Sequence, residues 1–258
     1  MMINTSAAFI KKRLGLSVEG LSQKGSTREI NEDSIAIVKV WEETERSASL
    51  FILADGLGGH SGGEVASSMV ITELPKALQS RHGLDVLTDF VASVDEINQI
   101  VLNAGSSSAF LTGMCSTLVA ALVINNLLYL VHVGDSRGYL FRGGHLLYRT
   151  RDHSYAETFG PEKSRFRARF AHVLTQSVGA SRSVAPGIGI YQLEPGDRIL
   201  LCSDGISDVV TSEEMQQILE SSPAGTAAQA LLYLAAAKGS TDDLSVLVVE
   251  AGEEDLEA

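Results

Sequence analysis

Cysteine is scarce in this chain, and the two that occur, Cys115 and Cys202, stand far apart in or beside apolar runs. That pattern excludes a disulfide framework or a cysteine zinc site; both read as reduced core residues, which places the chain in the cytoplasm. Long hydrophobic runs are also missing. No stretch reaches the ~18 uninterrupted apolar residues of a spanning helix. The segment Met1–Arg13 puts its charges after a short apolar stretch, the wrong order for a secretory signal, so residues 1–15 are expected to be an arm. Basic residues are outnumbered, 20 Lys and Arg against 32 Asp and Glu, for a net charge of -12. This argues against nucleic acid or an anionic membrane as partner. Linkers, repeats and low-complexity tracts are absent too, which leaves residues 16–250 as a single domain followed by an acidic tail, 251–258.

What is present is a globular composition, 258 residues with 45% hydrophobic content, enough for one well-buried core. The pattern is mixed. Strands are expected at Leu16–Lys24, Ser34–Trp41, Leu50–Ala54, Ser116–Ile124 and Leu127–Val133, the last two joined by a tight turn at Asn125-Asn126. Arg137–Arg142 and His145–Arg149 form a further hairpin around Gly143-Gly144. More strands follow at Ile188–Leu193, Arg198–Cys202 and Leu244–Glu250. Helical spacing marks Glu64 to about Leu78, with Pro75 expected to kink or shorten it, and Leu84 to about Ala109. It recurs at Ser212–Leu219, capped by Ser212, and at Ala227–Ala237. Ser154–His172 has no clear period. Its alternating Lys163, Arg165, Arg167 and Arg169 suggest a surface segment or flap, either a solvated face or a row that steers acidic substrates.

The most informative stretch is L-F-I-L-A-D-G-L-G-G-H-S-G-G-E-V-A-S, Leu50–Ser67. An apolar strand delivers Asp55, and five glycines within residues 56–63 are expected to end regular structure and let backbone come close to a ligand. Neither nucleotide motif fits: the third glycine of a dinucleotide fingerprint is replaced by Ser61, and a Walker Gly-Lys-Ser/Thr is missing. Asp55 would itself repel a phosphate, unless a hard divalent cation lay between them. A capped turn with a solvated Asp is the competing reading of this stretch alone.

The same arrangement recurs. The apolar strands ending in Ala54, Val133 and Cys202 are each followed closely by an aspartate, Asp55, Asp135 or Asp204. Two others start after Glu32-Asp33 and Asp242-Asp243. In antiparallel sheets, strand ends and strand beginnings share an edge, so these acids can converge, and cations would neutralise their repulsion.

Arg28–Asp33 (R-E-I-N-E-D), Ala54–Ser67, Cys115–Thr117, Val133–Arg137, Asp152–Ser154, Leu174–Gly179, Leu201–Val210 and Asp242–Val246 occur in an ordered set that resembles the metal-dependent protein serine/threonine phosphatases of type 2C, in their compact bacterial form. The resemblance implies an α+β fold, a four-layer αββα sandwich of two antiparallel sheets flanked by helices. It also implies a centre of two Mn2+ or Mg2+ ions, with a third, weaker one. By position, Asp55 would bridge both metals, Asp204 and Asp242 would complete one, and Glu32 with the Gly56 carbonyl would serve the other. Asp135 would help hold the third, Asp33 would orient water and Arg28 would grip the substrate phosphate. The implied activity is hydrolysis of phosphoserine and phosphothreonine by a monomer that opposes a Ser/Thr kinase. A silent phosphoprotein-binding pseudophosphatase and a hydrolase of another phosphoester are the alternatives. Two departures from the family stand out: Leu57 replaces a histidine proposed as proton donor in many eukaryotic members, and Asp243 stands where asparagine is usual. His60 and His153 lie in matched blocks but are expected to be structural.

Overall fold

The computed structural model describes residues 14–41, 48–58, 62–81, 85–159 and 173–253. Three apolar clusters separate four layers. Alternation along each strand decides which side chain goes where, because successive residues point to opposite faces. In β3 (Ala48–Leu57), Phe51 and Leu53 enter the cluster between the sheets, whereas Leu50, Ile52 and Ala54 face the helices α1 (Gly62–Gln79) and α2 (Val86–Ser107). In β10 (Arg198–Cys202), Ile199 and Leu201 fill the same central layer, and Leu200 and Cys202 pack outward. That outer cluster lies beneath three helices, α4 (Asp204–Ser207), α5 (Ser212–Ser221) and α6 (Ala224–Ala237). A short α3 (Tyr155–Phe159) stands apart from these layers.

Both sheets are antiparallel. One is ordered β1 (Leu14–Gln23), β11 (Leu244–Glu253), β10, β7 (Arg137–Arg142), β8 (His145–Arg149). The other runs β2 (Asp33–Val40), β3, β5 (Leu118–Ile124), β6 (Leu127–Val133), β9 (Gly187–Gln192), with the two-residue β4 (Cys115–Ser116) paired to β3. The expected αββα sandwich is therefore what the chain forms. β1 and β11 pair from Leu14↔Glu253 to Gln23↔Leu244, and that mutual pairing carries both strands beyond the lengths their apolar pattern suggested.

Local expectations fail in three places. Glycine does not end β3 at Ala54: Gly56 and Leu57 remain in the strand because Ser116 and Cys115 of β4 pair with them. Pro75 does not terminate α1, which continues to Gln79 with Leu74 and Pro75 both buried. The cap of α5 is Thr211 rather than Ser212. Its hydroxyl accepts from the Glu214 N–H, and the Glu214 carboxylate accepts from the Thr211 N–H at 2.9 Å, a reciprocal box. Of the expected flap, Ser154–Phe159 are described, while the basic row from Lys163 to Arg169 lies outside the described residues. Both cysteines are free thiols, Cys202 buried and Cys115 partly so.

The β5–β6 turn is as tight as its sequence suggests, with Asn125 at φ 51° and Asn126 at φ 64°, the left-handed pair that a two-residue hairpin requires. Asn125→Ala should cost about 1 kcal/mol, since alanine lacks asparagine's tolerance of that region. Urea denaturation will check this, and an unchanged midpoint would show that the turn does not constrain the hairpin.

Candidate active site

One end of the sandwich collects the acids. Asp33, first residue of β2, sits opposite Asp55 in the β2–β3 ladder, and the Gly56 N–H donates to the Glu32 carbonyl at 3.0 Å. The Asp55 backbone is held from its other side by the residues after β4. Its N–H donates to Thr117 Oγ1 at 2.9 Å, and its carbonyl accepts from the Thr117 N–H at 2.8 Å and the Ser116 hydroxyl at 3.0 Å. Thr117 Oγ1 lies 2.6 Å from the Ser136 hydroxyl, which ties this corner to the Asp135 loop. Asp204 enters from β10 as the first residue of α4, and Asp242-Asp243 lead into β11. Cys115–Thr117 were matched in the sequence without a role; the cross-strand hydrogen bonds supply one.

Electrostatics confirm the convergence. Burial, followed by the charges of Asp33, Asp204, Asp135 and Asp242, pushes the Asp55 carboxyl well above the usual range. Burial also raises Asp33 to about 7, with Asp243 and Asp204 adding to the effect and the Ser245 and Ser203 hydroxyls opposing it. Asp135 is raised to about 7, by burial and then by Asp204 and Asp152. A site that disfavours its own anions to this extent suits a cation.

The arginine and the acid pair are arranged differently from the expected division of labour. Arg28 does not stand alone: its Nε and Nη2 donate to Asp242 Oδ1 and Oδ2 at 2.7 and 2.8 Å, a bidentate fork, and Nη1 approaches Glu32 Oε2 at 3.4 Å. Asp243 turns the other way and is buried, Oδ1 accepting from the Gly25 N–H at 2.7 Å and Oδ2 from the Glu32 N–H at 2.8 Å. It clamps the loop that carries Arg28 and Glu32. The two neighbouring acids thus have distinct surroundings, as side chains on opposite faces should.

The residues present fit a divalent metal. Glu32 Oε1 and both carboxylate oxygens of Asp33 are buried with no hydrogen-bond partner in good geometry, an arrangement that costs free energy unless something else satisfies them. As the side chains stand, no group of three or more histidine, cysteine or acid residues among the described residues is arranged to hold a metal ion. Asp242, which the resemblance assigns to one metal, is engaged by Arg28. The glycines do allow close approach, but chiefly by the chain itself. A Cβ on Gly56 would overlap the Gly63 carbonyl, and one on Gly63 would overlap Glu32 Oε1 and stand 2.7 Å from the Gly56 carbonyl oxygen. The start of α1 is therefore packed directly against two oxygens assigned to the same metal.

His60 lies outside the described residues. The His153 ring stacks on His132 at 4.7 Å, and its Nδ1 accepts from the Gly134 N–H at 3.3 Å. Burial first, then the neighbouring His132, lowers His153 to about 4, which suits a packed neutral ring rather than a proton donor at neutral pH.

The family model described as "Protein phosphatase 2C" matches residues 23–234. The serine/threonine protein phosphatase PstP of Mycobacterium tuberculosis is 35% identical over 235 residues, covering 89% of this chain; the chain spans 44% of that relative's length. The serine/threonine phosphatase stp of Listeria monocytogenes is 30% identical over 246 residues, covering 91% of this chain and 96% of the relative. Among solved structures, the catalytic domain of PstP in complex with 2 manganese ions superposes with a TM-score of 0.80 at 34% identity, covering 93% of this chain and 99% of that one.

Gly63→Ala should leave α1 helical by circular dichroism but weaken manganese binding about tenfold or more in calorimetry, because the methyl group displaces Glu32 and the Gly56 carbonyl together. Wild-type affinity would show that these oxygens hold no metal. His153 gives a second test. Below pH 6.5 an unfolded chain takes up a proton that folded His153 refuses until about pH 4, so the ring's contribution to stability is complete above 6.5 and is lost as pH falls toward 4. Its imidazole resonances should stay those of the neutral ring from about pH 8 to about pH 5, and a midpoint near 6.5 would contradict the packing.

Proposed function

This chain belongs to the protein phosphatase 2C family, and from that membership we propose that it is a manganese- or magnesium-dependent phosphatase acting on phosphoserine and phosphothreonine in proteins, opposing a Ser/Thr kinase. The observation that carries the reading is the gathering of Asp33, Asp135, Asp204 and Asp242 around Asp55 at one sandwich edge, their charges raising its pKa, with Arg28 alongside. All the positions matched to metal ligands hold acids, which disfavours a silent binding module.

The family's residue roles carry over to this chain by motif position, and the placement of each side chain supports them. By family position Asp55 would serve both ions, and its place among Asp33, Asp204, Asp135 and Asp242 supports that role. Glu32 and the Gly56 carbonyl would hold one ion, Asp204 and Asp242 the other, and Asp135 would help hold a third, weaker one. Bound there, manganese or magnesium supplies a Lewis acid that makes water nucleophilic near neutral pH and offsets charge on phosphoryl oxygens. Asp33, fixed across the ladder from Asp55, orients the attacking water by accepting a hydrogen bond from it. Arg28 is about two-fifths exposed, and the paired N–H groups that it offers Asp242 match a phosphoryl group equally well. It binds and orients the phosphoester, and supplies charge stabilisation that grows as the serine or threonine oxygen leaves. His153 takes no part, being stacked and neutral.

No described helix is long and apolar enough to cross a membrane. Two free thiols suit a reducing, cytoplasmic setting.

Phosphate release from a phosphothreonine peptide should require added manganese and stop with EDTA; a well-folded protein without metal-dependent turnover would overturn the reading. Asp55→Asn should keep the wild-type circular dichroism spectrum while losing more than about a hundredfold in turnover, beyond what residues that merely support ligands cost. Retained metal-dependent activity would remove Asp55 from the bridging position.

A further inference from the structure

A half-buried arginine outside the reacting groups joins three of the matched sequence blocks. Arg137 begins β7, two residues after Asp135, and is the partner of Cys202 at the end of β10, two residues before Asp204. Its Nε and Nη2 donate to Asp152 Oδ1 and Oδ2 at 2.9 and 2.7 Å, and its Nη1 donates to the Ser207 carbonyl at 3.0 Å. Ser207 is the last residue of the short helix that Asp204 opens. The side chains of Arg137 and Asp152 are 18% and 9% exposed, so the fork is nearly dry. The Asp152 side is tied back to the Asp135 loop, because the His153 N–H donates to the Gly134 carbonyl at 2.8 Å. Two loops and a helix therefore meet on one planar group.

The arrangement matters because Asp135 and Asp204 are like charges close enough to interact: Asp204 is the largest charged contributor to the upward shift of Asp135. Carboxylates that repel cannot fix their own separation, so something neutral or positive has to hold their backbones. Guanidinium is suited to this. Its donors have fixed angles, and it stays protonated even when buried.

We propose that Arg137 is a positioning residue that sets the spacing of Asp135 and Asp204 for metal binding, by bracing the Asp135 loop, the Asp152 loop and α4 against one another. The proposal rests on the metal-centre reading above. It goes further by assigning a task to the arginine of the V-G-D-S-R block and the aspartate of D-H-S, to which the metal-centre reading gives none.

The fold supplies an internal control at the other end of β7. Arg142 makes the same kind of fork, donating through Nε and Nη2 to Asp197 Oδ1 and Oδ2 at 2.7 Å each, with Asp197 fully buried. A purely structural role predicts that the two arginines respond alike to substitution.

The full chain, stripped with EDTA, is titrated with manganese by calorimetry, and half-saturating manganese is measured for para-nitrophenyl phosphate hydrolysis. Arg137→Lys keeps the charge but loses the fork, and Asp152→Asn loses half of the acceptor; each should weaken manganese affinity about tenfold or more and raise half-saturating manganese in parallel. KM for the ester should stay within about twofold, because the loop carrying Arg28 is untouched. Arg142→Lys should lower the melting temperature without changing manganese affinity. Wild-type manganese affinity in both Arg137→Lys and Asp152→Asn, or an equal loss in Arg142→Lys, would overturn the proposal. If Arg137→Lys fails to fold, Asp152→Asn against Arg142→Lys decides. Wild-type protein that binds manganese but hydrolyses no phosphoester would overturn the phosphatase reading alone, since the calorimetric comparison would still judge Arg137.

Discussion

Repulsion among carboxylates drawn into one partly buried edge is the constraint on which this molecule turns. Asp55 feels Asp33, Asp204, Asp135 and Asp242 together, and burial removes the water that would otherwise screen them. Left to a flexible loop, such groups would move apart or hold protons. The protein prevents separation by placing each at the end or beginning of an element that the sandwich holds rigid. The three apolar layers are what make those elements rigid. Each large side chain fully buried there contributes about 1.5–3 kcal/mol, so the fold tolerates a local arrangement that is unfavourable on its own.

The site is secured less by ion pairs than by hydrogen bonds to backbone. Asp243 holds two N–H groups of the Gly25–Glu32 loop, and Ser67 reaches from α1 to the Glu32 carbonyl at 2.6 Å. Thr117 grips both sides of the Asp55 backbone. These contacts fix where main chain lies while leaving Glu32 Oε1 and the Asp33 carboxylate oxygens with no hydrogen-bond partner in good geometry. Supporting groups thus take the hydrogen bonds, and the free oxygens are those that a cation would need. The asparagine usual beside Asp242 could accept through only one oxygen, so Asp243 at this position anchors the loop at two points in this chain.

Much of the architecture could be read from periodicity. The β7–β8 hairpin matched residue for residue, and Arg198–Cys202 did likewise, because two-residue alternation and a glycine or asparagine turn are local properties. Apart from the local cap at Thr211, the misses involved a partner distant in sequence. β3 runs through Gly56 since β4 lies beside it, and the ends of β1 and β11 extend because they meet each other. Helix α1 continues past Pro75 with Leu74 and Pro75 packed into the layer beneath it, an outcome that proline's missing N–H and ring do not forecast.

The sequence by itself determined the residue types that bring chemistry: acids placed at strand boundaries, an arginine four residues before Glu32, and glycines where side chains would not fit. These are written in local order, and they sufficed to identify the family. Tertiary structure alone decided how the neighbours divide their work. It turned Asp242 toward Arg28 and Asp243 toward backbone, it packed the Gly63 turn against Glu32, and it brought Asp135, Asp152 and Ser207 together around Arg137. Each of these depends on elements separated by long stretches of chain, brought side by side by antiparallel pairing and by the core the two sheets share.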